Sequence, residues 1–180
     1  RRTPYPSMQV IHAGDVTLEP QVAAHAEAMF AVLSDPAIYT YENEPPESVE
    51  WLRARFARLE SRRSGDGSEQ WLNWVIRVAP DELAGYVQAT VHADGSAGIA
   101  YELASAHWGK GLGARATTAM IGELVRHYNV RMLFAVAKAA NFRSIRLLEW
   151  LGFVPAGPEG HPAHDVEPDE VLMLLAVRQV

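Results

Sequence analysis

Apolar positions along this chain change period twice, and the changes divide it into blocks. Short β-type runs from Met8 to Leu18, broken at Gly14-Asp15, predict a first strand with room for a bulge. From Pro20 to Leu33, the residues Val22, Ala26, Met29, Phe30 and Leu33 fall at helical spacing, and Ser34-Asp35-Pro36 ends that helix. Glu47 to Arg62 repeats the spacing with Val49, Leu52, Phe56 and Leu59. Past the loop "RSGDGSE", Arg63 to Glu69, the chain becomes extended. Trp71 to Val78 and Leu83 to His92 flank the turn Pro80-Asp81-Glu82, and Asp94-Gly95 leads into a third strand, Gly98 to Ala104. This antiparallel meander runs straight into a glycine-rich loop. Behind the loop the helical period returns at Thr117, Met120, Ile121, Leu124, Val125 and Tyr128. Met132 to Val136 then reads as a strand buried on both faces, Asn141 to Leu151 as a helix stopped by Gly152, and "EVLMLLAVRQV" as a last strand. The order β-α-α-β-β-β-loop-α-β-α-β predicts a mixed α/β domain, antiparallel before the loop and parallel after it.

Composition narrows the function classes. A chain of 180 residues fits one domain, read here as residues 8–180 behind a tail of residues 1–7, with Met8 as the natural start. There are no cysteines, so disulfides and thiolate zinc sites are out, and the chain is read as cytoplasmic. A net charge of −6 argues against nucleic acid as a partner and suits an amine or cation. No apolar run reaches membrane-spanning length, so no membrane partner is expected, and the basic tail lacks the apolar stretch of a secretory signal. A homodimer is compatible with this reading.

The loop itself, "HWGKGLGARA" from His107 to Ala116, sets Gly109, Gly111 and Gly113 around Lys110. It is no P-loop, because no Gly-Lys-Ser/Thr closes a four-residue gap. It does fit the dinucleotide pattern G-x-G-x-x-G/A at Gly109, Gly111 and Ala114, but that fold places an acidic residue at the end of the next strand, where this chain has Ala137-Lys138. A bare backbone before a helix has another use: N–H groups from Gly109 to Ala114 can face an anion at the positive helix end, with Arg115 in the first turn, and a pyrophosphate is the natural guest.

The stretches "IAYELASAHWGKGLGARA", Ile99 to Ala116, and "NFRSIRLLEWLGF", Asn141 to Phe153, resemble the GNAT superfamily of acyl-CoA-dependent N-acetyltransferases, in particular its branch acting on ribosomal-protein N-termini and small-molecule relatives. The resemblance implies a GNAT-like mixed sheet flanked by helices, acetyl-CoA as co-substrate, and an amine-bearing small molecule or peptide N-terminus as acceptor. It implies that main-chain groups of Tyr101, Glu102 and Leu103 pair with the pantetheine arm. Trp108, Gly109, Lys110, Gly111, Leu112 and Gly113 would wrap the pyrophosphate, with Ala114 and Arg115 beside them, and Asn141 and Ser144 would meet the cofactor's arm. For Lys110 and Arg115 a solvated surface charge is the competing reading, and for Asn141 a helix cap is compatible with the same contact.

In one respect the chain departs from the family: many members carry a tyrosine that protonates the leaving thiolate, and the matching position is Leu148. Ser144, one helical turn earlier, is the nearest hydroxyl to replace it, or a plain capping residue. Glu102 is the candidate base, against a surface glutamate. Tyr41, Glu42, Glu44 and Trp74, with Tyr39 and Trp71, are candidates for the acceptor side, although such aromatics are commonly core. His161-x-x-His164-Asp165 reads as a solvent loop, no metal site is expected, and Ser105-Ala-His107 lacks the hydrolase elbow G-x-S-x-G. A non-catalytic acyl-CoA-binding module remains as the alternative to an enzyme.

Overall fold

The structure, a computed structural model, describes residues 7–157, 159 and 164–178. Of the expected tail only Ser7 falls among them, and His161 lies outside them. The first strand is a hairpin rather than one bulged strand. Strands β1 (Ile11–Ala13) and β2 (Val16–Pro20) pair antiparallel across Gly14-Asp15, where Gly14 takes φ +68°. A two-residue turn with glycine in the left-handed region reverses the chain where a bulge would only bend it. Pro20 therefore ends a strand, and helix α1 (Ala26–Leu33) begins only after a 3₁₀ turn at Ala23–His25. Helix α2 (Val49–Leu59) is capped by Ser48, whose hydroxyl accepts from Trp51 N at 3.0 Å.

Strands β3 (Glu69–Ala79), β4 (Glu82–His92) and β5 (Ser96–Leu103) form the expected antiparallel meander. Then follow α3 (Leu112–His127), β6 (Met132–Lys138), α4 (Phe142–Trp150), the two-residue edge strand β7 (Val154–Pro155) and β8 (Glu170–Ala176). Among the described residues these strands make one eight-stranded sheet in the order β1-β2-β3-β4-β5-β6-β8-β7. Parallel pairing is confined to β5 and β6, because β8 returns antiparallel beside β6.

Each face of the sheet buries a helical layer. On one face Leu112, Ala116, Met120 and Leu124 of α3 and Leu148 of α4 pack with Leu72, Trp74 and Ile76 of β3. On the other, Ala26 and Met29 of α1 and Leu52 and Phe56 of α2 pack with Val75 and Leu83. Strand alternation sorts β3 between the layers. Trp74 is thus fully buried on the α3 face, its Nε1 donating to Gln9 O at 3.1 Å, and cannot be an acceptor-side residue. Strand β6 is buried on one face only: Leu133, Ala135 and Ala137 point into the core, whereas Met132 is 38% exposed.

The pair β5–β6 creates the site. Their register holds only from Ser96↔Met132 to Gly98↔Phe134, yet β5 runs on to Leu103 and β6 to Lys138. Beyond Gly98 the two strands part, opening a notch in the middle of the sheet.

Candidate active site

In an antiparallel ladder alternate residues turn their main-chain groups toward the partner strand. Ala104 N donates to Ala84 O at 2.9 Å, so the even-numbered residues Glu102 and Ala100 also face β4, and the odd-numbered Tyr101 and Leu103 face the notch. The groups of Leu103 are already engaged: its carbonyl accepts from Trp108 Nε1 at 2.9 Å and its N–H donates to Glu102 Oε1 at 3.2 Å. The N–H and C=O of Tyr101 form the open edge, to which an extended amide chain can add as a strand does.

The glycine loop closes the notch's end. His107 and Trp108 donate their N–H groups to Ala104 O and Ser105 O, so the Trp108 N–H is spent within a 3₁₀ turn and does not belong to an anion cradle. From Gly109 to Ala114, no backbone N–H has a backbone acceptor among the described residues, and the ladder of α3 begins with Arg115 N to Gly111 O at 3.1 Å. Gly109 and Gly111 take φ +74° and +76°, and a Cβ built on either meets nothing within 4 Å. Orphan donors at a helix N-terminus, on a backbone that only glycine adopts without strain, suit a phosphate group.

Together these elements line a cleft of 240 Å³ that includes Tyr101, Glu102, Leu103, Trp108, Asn141 and Ser144, with the glycines, Leu112 and Ala114 at one end. Lys110 and Arg115 do not line it. Lys110 is exposed, and the Arg115 guanidinium is ion-paired with Asp15 of the β1–β2 turn while its N–H belongs to the helix, so neither side chain stands among the groups facing the cleft. Leu148, in place of the family's tyrosine, is buried against the cleft.

Two groups in the cleft carry chemistry. Asn141 Oδ1 caps α4 by accepting from Ser144 N at 3.2 Å, which fixes Ser144 in the first turn. Ser144 Oγ lies 2.9 Å from the Tyr101 hydroxyl, which also donates to Ser144 O at 3.2 Å. Burial pushes the Tyr101 hydroxyl up to about 12, with the Ser144 hydrogen bond opposing. Glu102 points to the opposite face of β5. Burial raises its carboxyl to about 7, with the Leu103 N–H and Arg143 pulling it down and Glu42 and Asp35 pushing it up.

Glu102 also lines a second cleft, of 400 Å³, between the sheet and α2, together with Tyr39, Glu44, Trp51 and Tyr86. Among the described residues it alone lines both clefts. Of the other acceptor-side candidates, Glu42 lines the first cleft, and Tyr41, 42% exposed, lines neither.

Sequence reasoning missed three groups that shape the site. The Arg143 guanidinium stacks 3.3 Å over the Trp108 ring. Asp35 Oδ2 accepts from Ser105 N at 2.6 Å and Oδ1 from Ala37 N at 3.1 Å, tying the segment after α1 to the start of the glycine loop. The Ser105 side chain first, then the Ser105 and Ala37 N–H groups, hold the Asp35 carboxyl below its ordinary value. Tyr86 is the cross-strand partner of Glu102. Among the described residues no three His, Asp or Glu side chains stand together as a metal site, and His164 packs its ring 4.3 Å from that of Phe134.

This architecture matches known proteins. Residues 15–154 match the family model described as an acetyltransferase (GNAT) domain. The uncharacterized N-acetyltransferase p20 of Bacillus licheniformis is 24% identical over 152 residues, 83% of this chain and 85% of p20. The ribosomal L7/L12 alpha-N-protein acetyltransferase RimL superposes with a TM-score of 0.75 at 18% identity, over 97% of this chain and 99% of RimL. In complex with coenzyme A, RimL gives 0.70 at 16% identity, over 94% and 98%. A spermidine N-acetyltransferase SpeG chimera from Vibrio cholerae and hSSAT gives 0.73 at 19%, over 91% and 96%. With the family model spanning most of the chain, the protein belongs to the GNAT family of acyl-CoA-dependent N-acetyltransferases.

Proposed function

We propose that the protein transfers an acetyl group from acetyl-CoA directly to a primary amine, of a small molecule or a peptide N-terminus, within a ternary complex. The observation that carries this is Glu102, a half-buried carboxylate lining both clefts, so that a base stands where an amine from one meets a thioester lying in the other. The neighbours' acceptors, ribosomal-protein N-termini for RimL and spermidine for SpeG, are amines of this kind.

The N–H groups of Gly109 to Ala114 would hold the pyrophosphate, and the open edge of Tyr101 the pantetheine amides. Glu102, ionised about half the time near pH 7, takes the proton from the attacking nitrogen as the N–C bond forms. When its carboxylate turns to the amine, Leu103 N–H is released to the thioester oxygen, where negative charge develops. As the C–S bond breaks, the departing thiolate takes its proton from the Ser144 hydroxyl while solvent water returns one to Ser144 Oγ, with the Tyr101 hydroxyl holding that oxygen in place.

Ser144→Ala is expected to lower kcat about tenfold, and Tyr101→Phe to add little once Ser144 is gone, because the two act as one unit. Thioesters with more acidic thiols check this, since the loss should shrink as the leaving group needs less help. A loss equal for all donors would leave Ser144 a cap.

The glutamates of residues 39–50, Glu42, Glu44, Glu47 and Glu50, form an acidic rim without a basic residue, and Glu44 lines the second cleft. Glu42→Gln with Glu44→Gln is expected to raise the acceptor's KM about three- to fivefold at low salt, to do less at physiological ionic strength, and to spare that of acetyl-CoA. An unchanged KM at low salt would remove the rim from acceptor capture. Acetyl-CoA turnover against amines and peptides tests the function itself: free CoA released only with an acceptor present supports transfer. Binding of acetyl-CoA without release across such a panel would favour the non-catalytic module.

A further inference from the structure

The second cleft is charged on both sides. Glu102 stands on the sheet side; on the α2 side Arg55 lines the cleft, its guanidinium 5.9 Å from the centre of the Trp51 ring and without an acidic partner among the described residues. Tyr86 lies within reach of both charges: burial raises its hydroxyl, Glu102 pushes the same way and Arg55 opposes them. The cation acting on Glu102 itself is Arg143, not Arg55, so the glutamate and Arg55 are not a pair.

Uncharged hydrogen-bonding groups fill the wall beyond Tyr86. Tyr86 is paired with Glu102; one pleat away on the same face Asn73 is paired with Gln88, and Gln21 joins that row by donating its N–H to Asn73 O at 2.9 Å. All three amide residues line the cleft. Gln21 is largely buried, Asn73 half-buried and Gln88 exposed, and none of their side-chain amides is engaged by a protein group among the described residues. Unengaged amides on a cleft wall can both donate to and accept from a polar ligand. With strands roughly 5 Å apart and same-face residues roughly 7 Å apart along a strand, the amide row begins roughly 8 Å from Glu102 and runs away from it.

We propose that the acceptor is an amino-carboxylate: its amine reacts at Glu102, a polar, amide-like chain lies along Gln88, Asn73 and Gln21, and its carboxylate is bound by Arg55. This rests on the acetyl-transfer reading and specifies its acceptor. The guanidinium and a carboxylate make a charge-assisted contact, whereas the distal ammonium of a polyamine would face Arg55 with like charge; Glu44, which also lines the cleft, attracts the reacting ammonium of either.

The test is binding to the protein–CoA complex by calorimetry, which reads the cleft whether or not transfer proceeds. The probes are the amidated tripeptides Ala-Ala-Asp, Ala-Ala-Asn and Ala-Ala-Lys and the free acid of Ala-Ala-Asn, the last separating a terminal carboxylate from a side-chain one. At least one carboxylate probe is expected to bind about tenfold tighter than the neutral amide, and the lysine peptide most weakly. Arg55→Gln should bring all four within about twofold, Arg55→Lys should keep part of the preference, and Arg55→Glu should invert it; Arg55 is exposed, so these variants fold. Equal binding of acidic and neutral probes by the parent, or a preference that survives Arg55→Gln, overturns the proposal. A carboxylate preference with no acetylation of any bound peptide from acetyl-CoA would instead defeat the transfer reading and leave the binding site standing.

Discussion

Glu102→Gln is expected to lower kcat by roughly 10²-fold near neutral pH, because the amide fills the same space at the junction of the two clefts but cannot accept the amine's proton. With the parent carboxyl raised to about 7, its rate should climb through that pH as the base ionises, whereas the variant's should follow only the free-amine fraction. The loss therefore shrinks as pH approaches the amine's own pKa. The same substitution carries a stability signature. The folded carboxyl titrates above the ordinary 4.5, so the fold disfavours the charged form. Below 4.5 both folded and unfolded chains are protonated and the group contributes nothing. Between 4.5 and about 7 the unfolded chain releases its proton first and stability falls, and above 7 the full penalty is present. Glutamine carries no such penalty, so Glu102→Gln should raise Tm by several degrees at pH 8 and leave it unchanged at pH 4. Kinetics with an unaltered pH profile would remove Glu102 from the chemistry.

Gly111→Val is expected to abolish acetyl-CoA binding in a protein that still folds. At φ +76° a β-branched residue costs about 1–3 kcal/mol, which a domain of this size can absorb, and the new Cβ has no protein atom within 4 Å to strike. The added methyl groups instead enter the space onto which the unsatisfied N–H groups of the loop open. Calorimetry on the folded variant should show acetyl-CoA affinity down by at least about 100-fold. Undiminished affinity would move the phosphate site away from this loop.

The glycine loop was legible because its signal is local: glycines at set spacing after a strand and before a helix leave few alternatives for the backbone. The meander and α3 were legible because their apolar periods are unbroken over many residues. Orientation across the sheet was not. Trp74 reads as acceptor-side until the register of β3 is known, and irregularities between Ile76 and Ala79 break the alternation from which a face would be counted. The face of Glu102 likewise becomes definite only through its pairing with Tyr86. Long-range ties are invisible for a related reason. Asp35 meets Ser105 across seventy positions of sequence, and Arg115, which looks like a phosphate ligand beside its loop, is claimed by Asp15 from a hairpin a hundred residues earlier. Arg143 has no signature beyond a charge on a helix, and only the folded chain brings it over Trp108.

Direct transfer at the meeting point of two clefts is tested by an initial-rate matrix in acetyl-CoA and an accepting amine, with CoA release and acetylated product measured together. Reciprocal plots that intersect, with CoA and acetyl-amine formed in equal amounts and only when both substrates are present, are the expected result. Parallel lines, or CoA released at the same rate without an amine, would contradict attack by the amine on the bound thioester.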